Sequence, residues 1–268
     1  MSVTRQSDHS RPFLSVVIPS YNEQRNLSRG VLESALTYLQ KQKYDWELIL
    51  SDDGSIDGTA DKLDQFATAH NSKTSARIRV LHNIHAGKGP TVQAGMLAAK
   101  GEWRLFTDFD QSTPLYDVEK LLAAASDKMP IVIGSREIDG AHREKEPFHR
   151  HLMGRGFNVL VQILAIPGIY DTQCGFKLFS AEATEQLFSK LYVYGRQQAR
   201  QDAFTGAFDV EVLFLARKYG FPIKELPIEW KHNETDRVSP VKDSLRMLRD
   251  ICKVRLAEIQ GHYRLTNA

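Results

Sequence analysis

Apolar residues alternate between two rhythms along the first half of the chain. Short β-branched and aliphatic runs end in polar residues, Pro or Gly: "FLSVVIPS" (13–20), "WELILSD" (46–52), "ARIRVLHN" (76–83), "EWRLFTD" (102–108) and "PIVIGSR" (130–136). Compact runs of this kind suit strands buried on both faces. Between them the spacing predicts helices over 26–40, from Asp57 as N-cap, through "GKGPTVQAGMLAAKG" to a stop at Gly101, and over 114–125. Strands alternating with helices imply right-handed crossovers and a mainly parallel sheet, an α/β fold.

The second half is less regular. A polar, charged loop spans 140–151, then "LMGRGFNVLVQILAI" (152–166) reads as a helix and "GFKLFS" (175–180) as a short strand. "FDVEVLFLARKYG" is a helix capped by Gly220, and "PIKELPIEWKH" a strand that Pro227 restricts to an edge or a bulge. A long helix closes the chain. Its apolar residues Val241, Leu245, Leu248, Cys252, Leu256 and Ile259 recur at three- and four-residue steps, with Ile251 alongside. Lys242, Arg246, Arg249 and Lys253 follow one position on from four of them. That stripe fits either packing on the domain or an anionic membrane surface.

Composition narrows the class only a little. A formal net charge of +2 over 268 residues gives no nucleic-acid signature, and two cysteines make no disulfide framework. The longest apolar run, 157–166, is about half a membrane span and carries Gln162. Residues 1–11 are polar, show no secretion signal and are expected to be disordered; 12–236 form one domain and 237–268 the terminal helix. The expectation is a soluble or peripheral protein of a reducing, cytoplasmic compartment.

Ligands of open α/β sheets bind beyond the carboxyl ends of the strands. That rule gathers "PSYNE", "SDDGS", "DFD" and "GSR" into one crevice. No dinucleotide fingerprint follows the first strand, and "HAGKGP" lacks the first glycine and the hydroxyl residue of a phosphate loop. Lys88 remains as a cation near a helix start, suited to a diphosphate. Asp108 and Asp110, two apart, share a face in extended chain. Two converging carboxylates suit a hard cation, Mg²⁺ or Mn²⁺, that keeps positions open for substrate phosphates. Arg136, just past the fifth strand, suits a second phosphate.

In order and spacing, "SVVIPSYNE", "SDDGSIDGT", "GKG…AGMLAAKGEW", "TDFDQSTP" and "GSR" resemble the family 2 glycosyltransferases of GT-A fold. "DTQCGFKLF", "FDVEVLFLARKYG" and "PIEW" are similar to the branch that makes dolichyl- or polyprenyl-phosphate glucose, with mannose synthases as near relatives. The resemblance, from about Phe13 to Arg255, implies a single Rossmann-like sheet flanked by helices, a nucleotide-sugar donor and a polyprenyl or dolichyl phosphate acceptor. It implies that Pro19, Tyr21, Glu23 and Asp53 line the base and ribose pocket, supported by Asp52. Lys88 would lie near the diphosphate. Asp108 would meet ribose and metal, Asp110 the metal directly, and Ser135, Arg136 and Lys177 the acceptor phosphate. Related mannose synthases carry a metal-binding Gln two residues after the second Asp; here Ser112 stands there and Gln111 precedes it, so a third ligand is open between them. Close eukaryotic relatives also carry an N-terminal membrane anchor that is not read here, so attachment is expected to be peripheral.

The resulting reading is an inverting, metal-dependent transfer of a hexose, foremost glucose from UDP-glucose, to a polyprenyl phosphate. A GDP-mannose donor, a soluble acceptor served by Asp209 or Glu211 as base, and a non-catalytic sugar-nucleotide sensor are the alternatives. Self-association is left open.

Overall fold

The computed structural model describes residues 11–71, 77–143, 166–195, 206, 208–231 and 240–264, with the side chains of 143 and 240–245 excepted. Residues 1–10 of the N-terminus expected to be disordered, most of the 140–151 loop and nearly all of the helix expected over 152–166 lie outside the described residues.

The element order begins β1 (Leu14–Ser20), α1 (Gln24–Leu27), α2 (Val31–Gln40), β2 (Trp46–Asp52), α3 (Thr59–His70) and β3 (Ile78–His82). It continues with α4 (Lys88–Ala98), β4 (Trp103–Thr107), a 3₁₀ turn at Leu115–Asp117, α5 (Val118–Ala124), β5 (Ile131–Ser135) and β6 (His142–Arg143). The last part holds β7 (Phe176–Ser180), α6 (Ala181–Phe188), α7 (Phe208–Lys218), β8 (Ile223–Pro227), β9 (Glu229–Trp230) and α8 (Pro240–Ile259).

Seven strands form one sheet in the order β3-β2-β1-β4-β7-β5-β8. Every pairing is parallel except those of β7, which lies antiparallel between β4 and β5. The mainly parallel sheet is therefore as expected, and "GFKLFS" turns out to be a central strand of it. Its burial explains the sequence: Phe176, Lys177, Leu178 and Phe179 are all inaccessible, so it reads as an unbroken run rather than an alternating one. Pro227 stands on the edge strand β8, as its missing N–H requires.

Side chains alternate between two cores. Val17, Ile49 and Phe106 face α4, α6, α7 and α8, whereas Val16, Ile18, Leu48 and Leu105 face α2, α3 and α5. Strand order reverses at β1, with β2 on one side and β4 on the other, so a crevice opens beyond their carboxyl ends.

Local differences have local causes. The helix expected over 26–40 is two helices: the first ends at Leu27, and Gly30, at a left-handed φ of 70°, precedes the second. Helix α3 starts at Thr59 after Gly58 rather than at Asp57; the Asp57 carboxylate still accepts from the Thr59 N–H at 3.0 Å. Helix α4 ends at Ala98, ahead of Gly101. In α8 the buried residues are Asp250, Ile251, Val254 and Ala257. The stripe read from the sequence falls on nearly the opposite face of the helix: Cys252 is exposed, Leu256 is 53% and Ile259 78% exposed.

Candidate active site

Loops after β1 and β2 are laced together before they meet anything else. The Asp52 carboxylate accepts from Ser20 Oγ and from the backbone N–H and Oγ of Ser55. Asn22, at φ 53°, donates its N–H to Ser55 Oγ and accepts from the Ile56 N–H, while Glu23 donates its N–H to Thr59 Oγ1. Asp52 thus ties the loops after β1 and β2 together. Pro19 closes the buried end of β1 beside it.

Asp53 organises the next loop. Its carboxylate accepts from the N–H groups of Ala86 and Gly87 and from His85 Nδ1 at 2.8 Å. The His85 ring lies flat on Tyr21, with centroids 4.0 Å apart and planes 4° apart. Two aromatic faces therefore stack where the resemblance expects a base and ribose. Sequence reasoning passed over His85; its place three residues before Lys88 was the signal.

Lys88 opens α4, and its ammonium sits 2.5 Å from Asp108 Oδ1. Burial would drive its proton off, yet the carboxylates of Asp108, Asp209 and Asp110 outweigh this and raise its pKa. Asp108 follows β4 directly and is pressed against Gly175: a Cβ there would stand 2.1 Å from Asp108 Oδ2, so only glycine fits. The chain then turns rather than running extended, with Gln111 at φ 49°, and the turn brings Asp110 to Asp108. Burial first, and the Asp108 charge second, raise the Asp110 carboxyl above its ordinary value. The Ser112 N–H and hydroxyl hold it at 3.0 and 2.9 Å.

The donor set fits a divalent cation. Two carboxylates repel one another there, which a hard cation relieves. Gln111 Oε1 beside them is buried and has no hydrogen-bond partner. Among the described residues no group of three or more His, Cys, Asp or Glu could hold a metal, so the carboxylates here number two, Asp108 and Asp110.

Across β7 lies a second charged centre. The Arg136 N–H and Nε donate to Asp171 Oδ2 and Nη2 donates to Oδ1, at 2.9, 2.7 and 2.9 Å. Asp171 is fully buried; burial would raise its carboxyl, but Arg136 holds it at about 2. The Arg136 side chain is 20% exposed, and its guanidinium lies 5.6 Å from the Trp230 ring centroid. Ser135 is buried beside it. Lys177 is wholly buried below the crevice, its ammonium donating to Asp209 Oδ1 at 2.6 Å and to the Cys174 carbonyl. Glu211 accepts from the N–H groups of Tyr192, Val193 and Tyr194 and from the Tyr263 hydroxyl. Those four donors spend it as an anchor for that loop and the C-terminus.

The mainly parallel sheet flanked by helices is shared with solved glycosyltransferases of GT-A fold. The chain belongs to glycosyl transferase family 2, whose model matches residues 15–188. Dolichyl-phosphate beta-glucosyltransferase from Homo sapiens is 36% identical, over 94% of this chain and 78% of the relative. The protein of that name from Saccharomyces cerevisiae is 33% identical, over 98% and 80%. Among solved structures, mannosyl-3-phosphoglycerate synthase from Rubrobacter xylanophilus superposes with a TM-score of 0.60 at 16% identity, covering 96% of this chain and 76% of that one. Glucosyl-3-phosphoglycerate synthase from Mycobacterium tuberculosis, in complex with Mn²⁺, UDP and glucosyl-3-phosphoglycerate, gives 0.57 at 17%, covering 93% and 80%. The protein is a glycosyltransferase.

Proposed function

We propose that this enzyme transfers glucose from UDP-glucose to dolichyl phosphate or a similar polyprenyl phosphate, with inversion at the anomeric carbon. The observation that carries the reading is the 36% identity, over 94% of the chain, to a dolichyl-phosphate beta-glucosyltransferase. Mn²⁺ and UDP in a solved structure of the same fold support the donor.

Tyr21 and His85 would take the uracil and ribose, with Glu23, Asp53 and Pro19 around them. Asp108 and Asp110 are the residues that would hold Mg²⁺ or Mn²⁺, whose chemistry when bound is to neutralise charge gathering on the leaving diphosphate. Lys88 adds a fixed cation to the same task. Arg136, oriented by Asp171, presents its exposed edge to the acceptor phosphate, with Ser135 beside it. A phosphate oxygen forms its bond to the anomeric carbon from the face opposite the diphosphate, and the carbon–oxygen bond to UDP breaks with its electron pair. The acceptor is already ionised, so no general base is needed. This suits Glu211 and Asp209, both held by donors inside the fold.

A lipid acceptor places the enzyme at a membrane face. Among the described residues no helix is long and apolar enough to cross a membrane. The outer face of α8, with Leu256 and Ile259 exposed beside Arg249, Lys253 and Arg255, is suited to peripheral contact with anionic lipid. Incubation of purified protein with labelled UDP-glucose, dolichyl phosphate and Mn²⁺ tests the reading: label should pass to the lipid phase, and its absence there would refute it.

A further inference from the structure

Asp209 stands in the first turn of α7, where the sequence offered it as a base for a hydroxyl acceptor. Its surroundings argue for another task. It is 4% exposed, and its Oδ1 is 2.6 Å from the ammonium of Lys177, which is fully buried. A carboxylate fixed on a buried ammonium is that charge's partner, and removing it would strand the charge.

Asp209 also follows Phe208, the residue that meets the start of α4 and the Lys88 side chain. Gly89 lets the starts of α4 and α7 touch: a Cβ on it would stand 2.9 Å from Phe208 Cβ. The Lys88 ammonium in turn lies 5.9 Å from the Phe208 ring centroid. Its attraction to Asp209 is second only to that to Asp108. Charges therefore alternate through the interior: Asp108, Lys88, Asp209, Lys177, Asp171 and Arg136. The Asp171 carboxylate is also drawn down by Lys177. One end of this row is the donor's carboxylate pair and the other is the acceptor's arginine.

We propose that Asp209 is a positioning residue that keeps Lys88 over the donor diphosphate, and that Lys177 is its buried counter-charge rather than a phosphate ligand. When a cation occupies Asp108, that carboxylate no longer holds the lysine. Asp209 is then the anion that stops Lys88 from swinging into solvent. This rests on the donor reading given above.

The test uses Asp209→Asn alone and with Lys177→Met, because the single variant leaves a buried ammonium unpaired and may not fold, whereas the double leaves none. UDP with Mn²⁺ is titrated calorimetrically into the full chain, alongside acceptor kinetics and a pH profile. The expected result for the folded double variant is donor affinity about tenfold weaker, an acceptor KM within about twofold of wild type, and an unchanged acid limb. Wild-type donor affinity with wild-type kinetics would make the pair purely structural. Unchanged donor affinity with a collapsed kcat and a lost acid limb would make Asp209 the base. If wild type itself binds no UDP with Mn²⁺, the donor reading falls and this inference with it.

Discussion

The ammonium of Lys88 rests 2.5 Å from Asp108 Oδ1, an ion pair between the start of α4 and the end of β4. It joins the lysine to the carboxylate pair, and under the proposed reading that positive charge serves the donor phosphates. Lys88→Met should lower kcat/KM by about 10²- to 10³-fold, the usual cost of removing one preorganised charge-stabilising group. Circular dichroism should be unchanged, because the methionine keeps the stem that lies on Phe208. A fall of less than about threefold would remove Lys88 from the diphosphate.

Asp110→Asn should abolish turnover. Asn is nearly isosteric: its Oδ1 can still accept from the Ser112 N–H while its Nδ2 donates to the Ser112 hydroxyl, so the turn survives. It cannot balance a divalent charge. Mn²⁺ binding followed by electron paramagnetic resonance should weaken in parallel. Retention of both properties would exclude Asp110 as a metal ligand.

The Arg136–Asp171 pair predicts a pH dependence. The folded-state carboxyl, at about 2, lies below its ordinary value, so its contribution to stability is fully present above about pH 4 and is lost as pH falls toward 2. The linkage amounts to roughly 2 kcal/mol. Denaturant unfolding at pH 7 and pH 3 should show wild type losing more stability than Asp171→Asn. Equal losses would mean that the pair adds nothing by its charge. Arg136→Ala should raise the acceptor KM while donor affinity stays within about twofold; the reverse pattern would move Arg136 to the donor side.

Helix α8 presents Ile251, Val254 and Ala257 inward, leaving Leu256 and Ile259 outward among basic residues. Each cation near an anionic surface is worth about 1 kcal/mol. Changing Arg249, Lys253 and Arg255 to Gln should therefore reduce co-sedimentation with phosphatidylserine vesicles at low salt, and wild-type binding should fall as salt rises. Equal binding by both proteins would exclude this face.

Much of the sheet was legible because β1, β2, β4 and β5 are short apolar runs with polar ends, and those polar ends supply the candidate site. The antiparallel place of β7 was not, since a buried strand reads alike in either direction. Nor was the stripe of α8 that packs inward: Ile251, Val254 and Ala257 lie nearly opposite an equally apolar face, and periodicity cannot choose between them. The resemblance implied Lys177 as a contact of the acceptor phosphate, and its complete burial was not visible in the sequence. Its buried partner Asp209 lies thirty-two residues on and is found only by folding. Asp171 and His85 were hidden for the same reason, each acting through a residue distant in sequence, Arg136 and Asp53.

The most direct test of the central claim is transfer from radiolabelled UDP-glucose to dolichyl phosphate by the purified chain with Mn²⁺. The product is extracted into organic solvent and its anomeric configuration is read by nuclear magnetic resonance. A β-linked glucosyl phosphate, lost on addition of EDTA and not matched by a mannosyl product from GDP-mannose, is the predicted result. An α-linked product, EDTA-resistant transfer, preferential use of GDP-mannose, or no lipid-linked glucose at all would contradict it.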